Sequence, residues 1–447
     1  MSHKTKLHIH FTALFLSLAS PLLAQQPVGT QVQINPDQVL LVNGRKIFPV
    51  GFTMPPKPDA TTPDGKNGIQ ELHDAGATFF RTGPSGNGNW DDKYIQIERQ
   101  YMDAAARHGM YCLPWLKELS ALDDKHPARE QMLRKVINTF KDHPGMGCWK
   151  GEDEPEWGKK PIPPMQKAYD LIKQLDPNHP VWIVEAPRGT IDSLRPYMPT
   201  RDITGQDIYP ISYPPGIHSL LPNRDISLVG DHTQIIKAAA EGKKPIWMTL
   251  QIAWSGVAKS ERTLRFPTFH EERFMTYQAI INGARGIIYF GGNLPSTLNE
   301  RDAKLGWNWT FWNSVLRPVV EQIGTNSPLH AVLVAPDLPE EKNKVVAKLA
   351  GVSFGEAKEI EFLVRQVESH LYILACNRGR ETLHVAFDNL PASAGTGEVM
   401  FESPRKVILH PATNPETNEG EKGRTTTCRF NDWFSPFEVH VYKLQIK

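Results

Sequence analysis

The chain has 447 residues, and its 50 basic and 49 acidic side chains leave a formal net charge of +1. That balance gives no electrostatic footing for nucleic acid or an anionic membrane surface. Four cysteines in so long a chain make no disulfide framework and fit no zinc spacing. With no HExxH and no glycine-rich phosphate loop, neither a metal nor a cofactor is expected.

Residues 1–24 read as a secretory signal peptide. Lys4 and Lys6 form a basic start, Phe11 to Leu23 an apolar run, and Ala24 a small residue for cleavage. The run is too short to span a bilayer, and Leu22 is an untypical residue three positions before the cut. The expected location is therefore secreted or periplasmic, with no membrane partner. About 420 residues then remain, enough for one large domain and a smaller one.

Residues 25–47 carry two short alternating runs around Asn43-Gly44, a strong hairpin signal. The second run leads into FPVGFTM at 48–54, taken as a first strand. From there strands and helices alternate. GIQELHDA is a helix before ATFFRTG at 77–83, and Tyr94 to His108 a helix before MYCLPWL. A helix from about Pro127 to Phe140 precedes GCWKGEDEPEWG at 147–158. PPMQKAYDLIKQLDP leads to PVWIVEAP at 180–187, and a short helical segment near 190–198 to DITGQDIYP at 202–210. DHTQIIKAAAEGKK leads to PIWMTLQIAW, and FHEERFMTYQAIINGA to GIIYFGG at 286–292; Trp309 to Gly324 closes the series. Eight strand–helix units over about 280 residues give an α/β fold, a (β/α)8 barrel over 48–326. A doubly wound open sheet would leave this regularity without a reason.

After Asn326 short β-rich runs take over: HAVLVA, EIEFLVRQV, HLYILACNR, LHVAFDNL, EVMFESPRKVIL, TTTCRFN and FEVHVYKLQI. Residues 330–447 are expected to form a small antiparallel β-sandwich. Cys112 and Cys148 fall on neighbouring strands as packed thiols. Cys376 and Cys428 are either free or bridged.

In such barrels chemistry sits at the carboxyl ends of the strands. Those ends carry Arg81, then Trp115, Lys117 and Glu118, then Glu152, Asp153 and Glu154. Glu185 follows, then Asp207 and Tyr209, then Gln251 and Trp254, and lastly Phe290. Acids, an arginine, an amide and aromatic rings together suit a carbohydrate substrate. Each has a plainer reading. The acidic stretch is also a solvated turn, and Arg81 a counterion for it. Glu185 is also a helix cap, and Asp207 a loop anchor. Trp115, Trp149 and Trp247 read equally as core, whereas Trp157 and Trp254, beyond their strands, are better sugar platforms.

These residues resemble the clan A glycoside hydrolases, the barrel group of many cellulases, mannanases and β-galactosidases. NGRKIFPVGF at 43–52 looks like their first strand, and Arg81 matches their second-strand arginine. Asp153-Glu154-Pro155 is similar to their fourth-strand Asn-Glu-Pro, and Tyr209 to their sixth-strand tyrosine. GARGIIYFGG at 283–292 looks like their last strand, and FSPFEVHVYKL ends a sandwich like their accessory domain. The resemblance implies hydrolysis of O-glycosidic bonds with Glu154 as general acid. Arg81, Glu152, Asp153, Trp157, Glu185, Tyr209, Gln251 and Trp254 would then bind substrate. One departure matters: Gln251 stands where that clan has its nucleophilic Glu, and an amide cannot act as that carboxylate. Three readings follow. An inverting enzyme would take Asp207 as base across the cleft, with Glu185 as second choice. A substrate-assisted enzyme would use the substrate's own N-acetyl group. A non-catalytic barrel would bind glycan only.

Overall fold

The computed structural model describes residues 29–211, 219–252, 266–290, 309–339, 342–351, 355, 357–412 and 427–446. The signal-peptide segment, Trp254 and the stretch 212–218 of the loop after the sixth barrel strand lie outside the described residues.

Alternating apolar residues and the Asn43-Gly44 turn build a small antiparallel sheet of β1 (Val32–Ile34), β2 (Leu40–Val42) and β3 (Arg45–Ile47). Both turn residues have positive φ, 50° and 78°, which Asn and Gly tolerate best. The barrel strands are β4 (Val50–Phe52), β5 (Phe79–Thr82), β6 (Tyr111–Pro114) and β7 (Trp149–Asp153), then β8 (Val181–Glu185), β9 (Ile203–Ile208), β10 (Trp247–Gln251) and β11 (Gly286–Phe290). All neighbouring pairs along the sheet are parallel. Bridges from Cys112 to Met146 and from Trp115 to Lys150 join β6 to β7 and close the barrel. The connecting helices are α1 (Gly68–Asp74), α2 (Asp92–Arg107), α3 (Pro127–Phe140), α4 (Ile162–Leu175), α5 (Ile191–Leu194), α6 (Leu228–Ala239) and α7 (Phe269–Ile281).

The lumen is filled rather than open. Phe79, Trp182 and Trp247 meet inside it at ring distances of 5.7 and 6.1 Å. Val32, Leu40 and Val42 of the hairpin join the same apolar cluster, so the hairpin plugs the amino end of the barrel. The plug is pinned by Thr30, whose Oγ1 donates to the Met146 carbonyl at 2.5 Å and touches buried His179 at 2.9 Å. Only the carboxyl end of the barrel is left to present polar groups.

After the barrel, β12 (Val346–Leu349) to β19 (Val439–Gln445) form an antiparallel sheet in the order β12-β15-β18-β17-β16-β19-β14-β13. The strands between are β13 (Ile360–Val367), β14 (His370–Asn377), β15 (Leu383–Leu390), β16 (Gly395–Val399), β17 (Lys406–Ala412) and β18 (Thr427–Phe434). β17 pairs with β16 through its first half and with β18 through its second. One strand thus serves both layers of a sandwich closed over Phe387, Phe430, Tyr442 and their neighbours.

One expectation changes here and one open question closes. HAVLVA forms a helical turn at His330–Leu333 instead of a strand, because Arg365 on β13 takes up the Val332 and Leu333 carbonyls. All four cysteines are free: Cys376 packs with the barrel-side core and Cys428 inside the sandwich, so they cannot bridge. The sandwich docks on α7 through Tyr372, Leu374, Val439 and Val441. That is why α7 is buried along most of its length, polar Glu272, Thr276 and Gln278 included: it lies between barrel and sandwich.

Candidate active site

The acidic stretch after β7 is shaped by one irregularity. Lys150 pairs with Trp182 and Asp153 with Val184, so β7 spends one more residue than β8 over that span. This bulge shifts the alternation of side chains. Lys150 and Asp153 share the inward side, and Glu152 is turned away. On an unbroken extended strand Glu152 and Glu154, two residues apart, would share one side. The bulge corrects that, leaving Glu152 3.8 Å from Lys160 at the edge of the rim. Glu154 follows with φ of 45°, a left-handed conformation unusual outside glycine. Its N–H bonds to the Val184 carbonyl at 2.9 Å, which holds the strained residue in place.

Asp207, at the end of β9, meets Glu154 in a carboxyl–carboxyl hydrogen bond. Tyr209 donates to the Asp207 Oδ2 at 3.1 Å and stacks on Phe290 at 5.0 Å. Burial pushes both carboxyls up. Asp207 goes well above the usual carboxylate range, and the like charge of Glu154 adds to its rise. The nearby charge of Asp153 adds to that of Glu154. Like charges this close share a proton instead of ionising together.

Asp153 behaves in the opposite way. Burial in the cleft raises it, but the Lys150 ammonium, 2.7 Å from its Oδ1, and the more distant Arg81 hold it below the usual range. Lys150 is buried against the faces of Trp115 and Trp182, at 5.7 and 5.4 Å. Arg81 stacks on Trp115 at 4.9 Å and gives its Nε proton to the Thr53 carbonyl at 3.2 Å. The site thus sets a carboxyl pair pushed up by burial beside a carboxylate held low by its cations.

Asp207 does not oppose Glu154 across the cleft. The β7 and β9 strands are two places apart, about 10 Å, and inward-leaning side chains close that gap. Glu185 is fully buried and faces away from the cleft, paired with Arg201 at 2.8 Å and accepting the Glu156 N–H at 3.0 Å. It organises the turn after β7. Gln251 is fully buried too. Its carbonyl accepts the Ile211 N–H and its amide donates to the Ile211 carbonyl, both at 2.8 Å, so it fastens the loop after β9. Trp157 is 56% exposed on the rim, with the Arg188 guanidinium 6.0 Å from its ring.

Sequence reasoning missed Lys150, Thr53, Trp182 and Thr249, which border the same cavity. A lysine inside the short inward-facing strand CWKGEDE was the available signal for the first. Glu98 was also missed. It is wholly buried on α2, and accepts from the Thr82 hydroxyl and the Gly83 N–H, shaping the loop after β5. Among the described residues no cluster of histidine, cysteine and acids could hold a metal ion.

No family model matches the chain, and no curated protein matches it. Solved structures do. A glycoside hydrolase family 5 protein from Bacteroides vulgatus superposes with a TM-score of 0.55 at 13% identity, covering 93% of each chain. An Anoxybacillus alpha-amylase superposes at 0.50 and 12% identity, over 89% of this chain and 98% of its own. A glycoside hydrolase family 30 endoxylanase from Clostridium papyrosolvens gives 0.48 at 13% identity, over 93% and 98%. At these identities the first two likenesses bear on the fold alone: a (β/α)8 barrel followed by an antiparallel β-domain.

Proposed function

We propose that this chain hydrolyses O-glycosidic bonds of an oligo- or polysaccharide, with Glu154 as the proton donor. The observation that carries the reading is the Glu154–Asp207 pair beside ionised Asp153 at the carboxyl rim. Neighbouring titratable groups whose environments push them apart mark acid and base roles. With both protons aboard, the pair gives one from Glu154 to the leaving oxygen as the glycosidic C–O bond breaks. One proton then stays between the two carboxyls, the state that like charges favour. Asp153, kept charged by Lys150, stabilises the positive charge that develops on the sugar ring. Water adds at the anomeric carbon and returns its proton to Glu154.

Asp207 is therefore a positioning partner of Glu154. Touching carboxyls leave no room for a sugar and a water between them, whereas inversion needs a separation of about 6.5–9.5 Å. Export through residues 1–24 belongs to the same proposal, and amino-terminal sequencing of the mature protein tests it.

The activity test is a panel of aryl glycosides and polysaccharides given to the wild type and to Glu154→Gln. Cleavage by the wild type, lost about 10²–10⁴-fold in the variant on poor leaving groups, supports the reading. Glycan binding without cleavage by the wild type would make the barrel a binding module, a reading favoured by the engagement of Gln251 with Ile211.

A further inference from the structure

Beneath the Glu154–Asp207 pair lies a cavity of about 40 Å³ lined by Thr53, Arg81, Lys150, Asp153, Trp182 and Asp207, with Thr249 and Tyr209 completing its polar wall. A water needs about 10–15 Å³ of such space, so the cavity has room for a group of about three heavy atoms. Thr53 Oγ1, Trp182 Nε1 and Thr249 Oγ1 are each buried with no hydrogen-bond partner among the described residues. Their residues are between 1% and 5% exposed. Three orphaned polar atoms around one small space are far from the usual near-complete pairing of buried groups. Among the described residues the Arg81 guanidinium uses only its Nε, on the Thr53 carbonyl.

The wall is rich in donors. Trp182 and Arg81 can only donate, and Thr53 and Thr249 each have a hydroxyl proton to give.

We infer that this cavity takes a carboxylate carried by the sugar at the cleavage point, so that the substrate is a glycoside of a uronic acid. The inference rests on the hydrolase reading above. A carboxylate offers several acceptor positions to the donors, whereas the hydroxymethyl group of a neutral hexose brings one hydroxyl. The carboxylate's negative charge also disfavours ionisation of the neighbouring pair, keeping Glu154 supplied with the proton it must donate.

The experiment compares 4-nitrophenyl hexuronides with the matching neutral hexosides across configurations. The expected kcat/KM ratio is about 100-fold in favour of the hexuronide, the size of losing charge-assisted hydrogen bonds. Thr249→Val, which keeps the shape, should lower that ratio about tenfold, and Arg81→Gln should bring it near one. Equal or better cleavage of the neutral glycosides overturns the inference while leaving the hydrolase reading intact. If no glycoside is cleaved, the hydrolase reading fails, and thermal shift with free glucuronate, galacturonate or mannuronate against the neutral hexoses decides. A rise with a hexuronate, weakened in Thr249→Val, supports the cavity assignment, and no rise overturns it.

Discussion

Two polar regions of this molecule treat their carboxyl groups in opposite ways. At the barrel rim, Glu154 and Asp207 are packed against each other and pushed up by burial, with no cation bonded to either among the described residues. At the seam between barrel and sandwich, cations hold the acids. Asp337 binds Arg365 at 2.9 Å and Arg285 at 3.2 Å. Glu361 binds Arg378 at 2.9 Å, and Arg378 reaches Asp231 on α6 at 2.7 Å. Glu402 binds His440 at 2.6 Å and Arg405 at 2.9 Å. Burial raises Glu402 and Asp337, but these partners bring both below the usual range. The seam is a set of locked ion pairs that fix the sandwich on α6 and α7. The rim keeps a proton in an uncompensated place, an arrangement that stability alone would not select and proton transfer requires.

The largest expected effect falls on the rim. Glu154→Gln removes the donated proton and should cost about 10²–10⁴-fold in kcat on unactivated glycosides, with melting temperature preserved. Asp207→Asn removes the carboxyl whose hydrogen bond lowers Glu154. Its activity should fall less, and the upper limb of the pH profile of kcat/KM should move to higher pH. An unmoved limb would separate Asp207 from the acid.

The seam should respond in stability and leave the pH profile of activity alone. Arg365→Met strands the Val332 and Leu333 carbonyls and leaves Asp337 with Arg285 alone; a cost of about 3–5 kcal/mol is expected by denaturant unfolding. A cost under about 1 kcal/mol would make this pairing ornamental. His440 adds a pH signature. Burial lowers its pKa, but Glu402 and Glu438 outweigh that and raise it to about 9. Its stabilisation is complete below the unfolded value near 6.5 and is lost as pH rises through 9, on the order of 3 kcal/mol in all. His440→Gln should flatten that alkaline loss.

Glu98 sharpens the contrast from the rim side. Burial raises its pKa to about 7, against the lowering effect of its bonds to Thr82 and Gly83. The folded state keeps a proton that the unfolded chain has released above about 4.5, so stability falls as pH climbs from there to about 7. The total is on the order of 3 kcal/mol, and Glu98→Gln should remove the slope. The smallest effect is expected at Gln251→Glu. A carboxylate there would keep the Ile211 N–H but face the Ile211 carbonyl without a proton, costing about 1–3 kcal/mol. It should confer no activity, and a gain would show that the loop after β9 yields to a new carboxylate.

Much of this was legible in the amino-acid sequence. Alternation of strand and helix signals located the eight barrel strands within about two residues, because short apolar runs and 3.6-residue periods are local properties. Asn43-Gly44 announced the hairpin through its positive φ, and the proline-stopped acids of GEDEP announced the rim. The height of Glu154, Asp207, Arg81 and Tyr209 on the barrel followed from their places at strand ends. What tertiary structure alone decided was the partner of each. A bulge in β7 sent Asp153 inward and Glu152 away, through pairing with β8 that no residue spacing encodes. Asp207 came to rest against Glu154, Glu185 against Arg201, and Gln251 against Ile211, because contacts across the barrel join residues tens of positions apart. The same holds for the buried charge of Lys150, tolerated because Trp115 and Trp182 supply ring faces, Asp153 a counterion and Glu152 a carbonyl acceptor. Sequence sets which groups stand at the rim and how high; the closing of the barrel sets which of them touch, and through that which carry a proton.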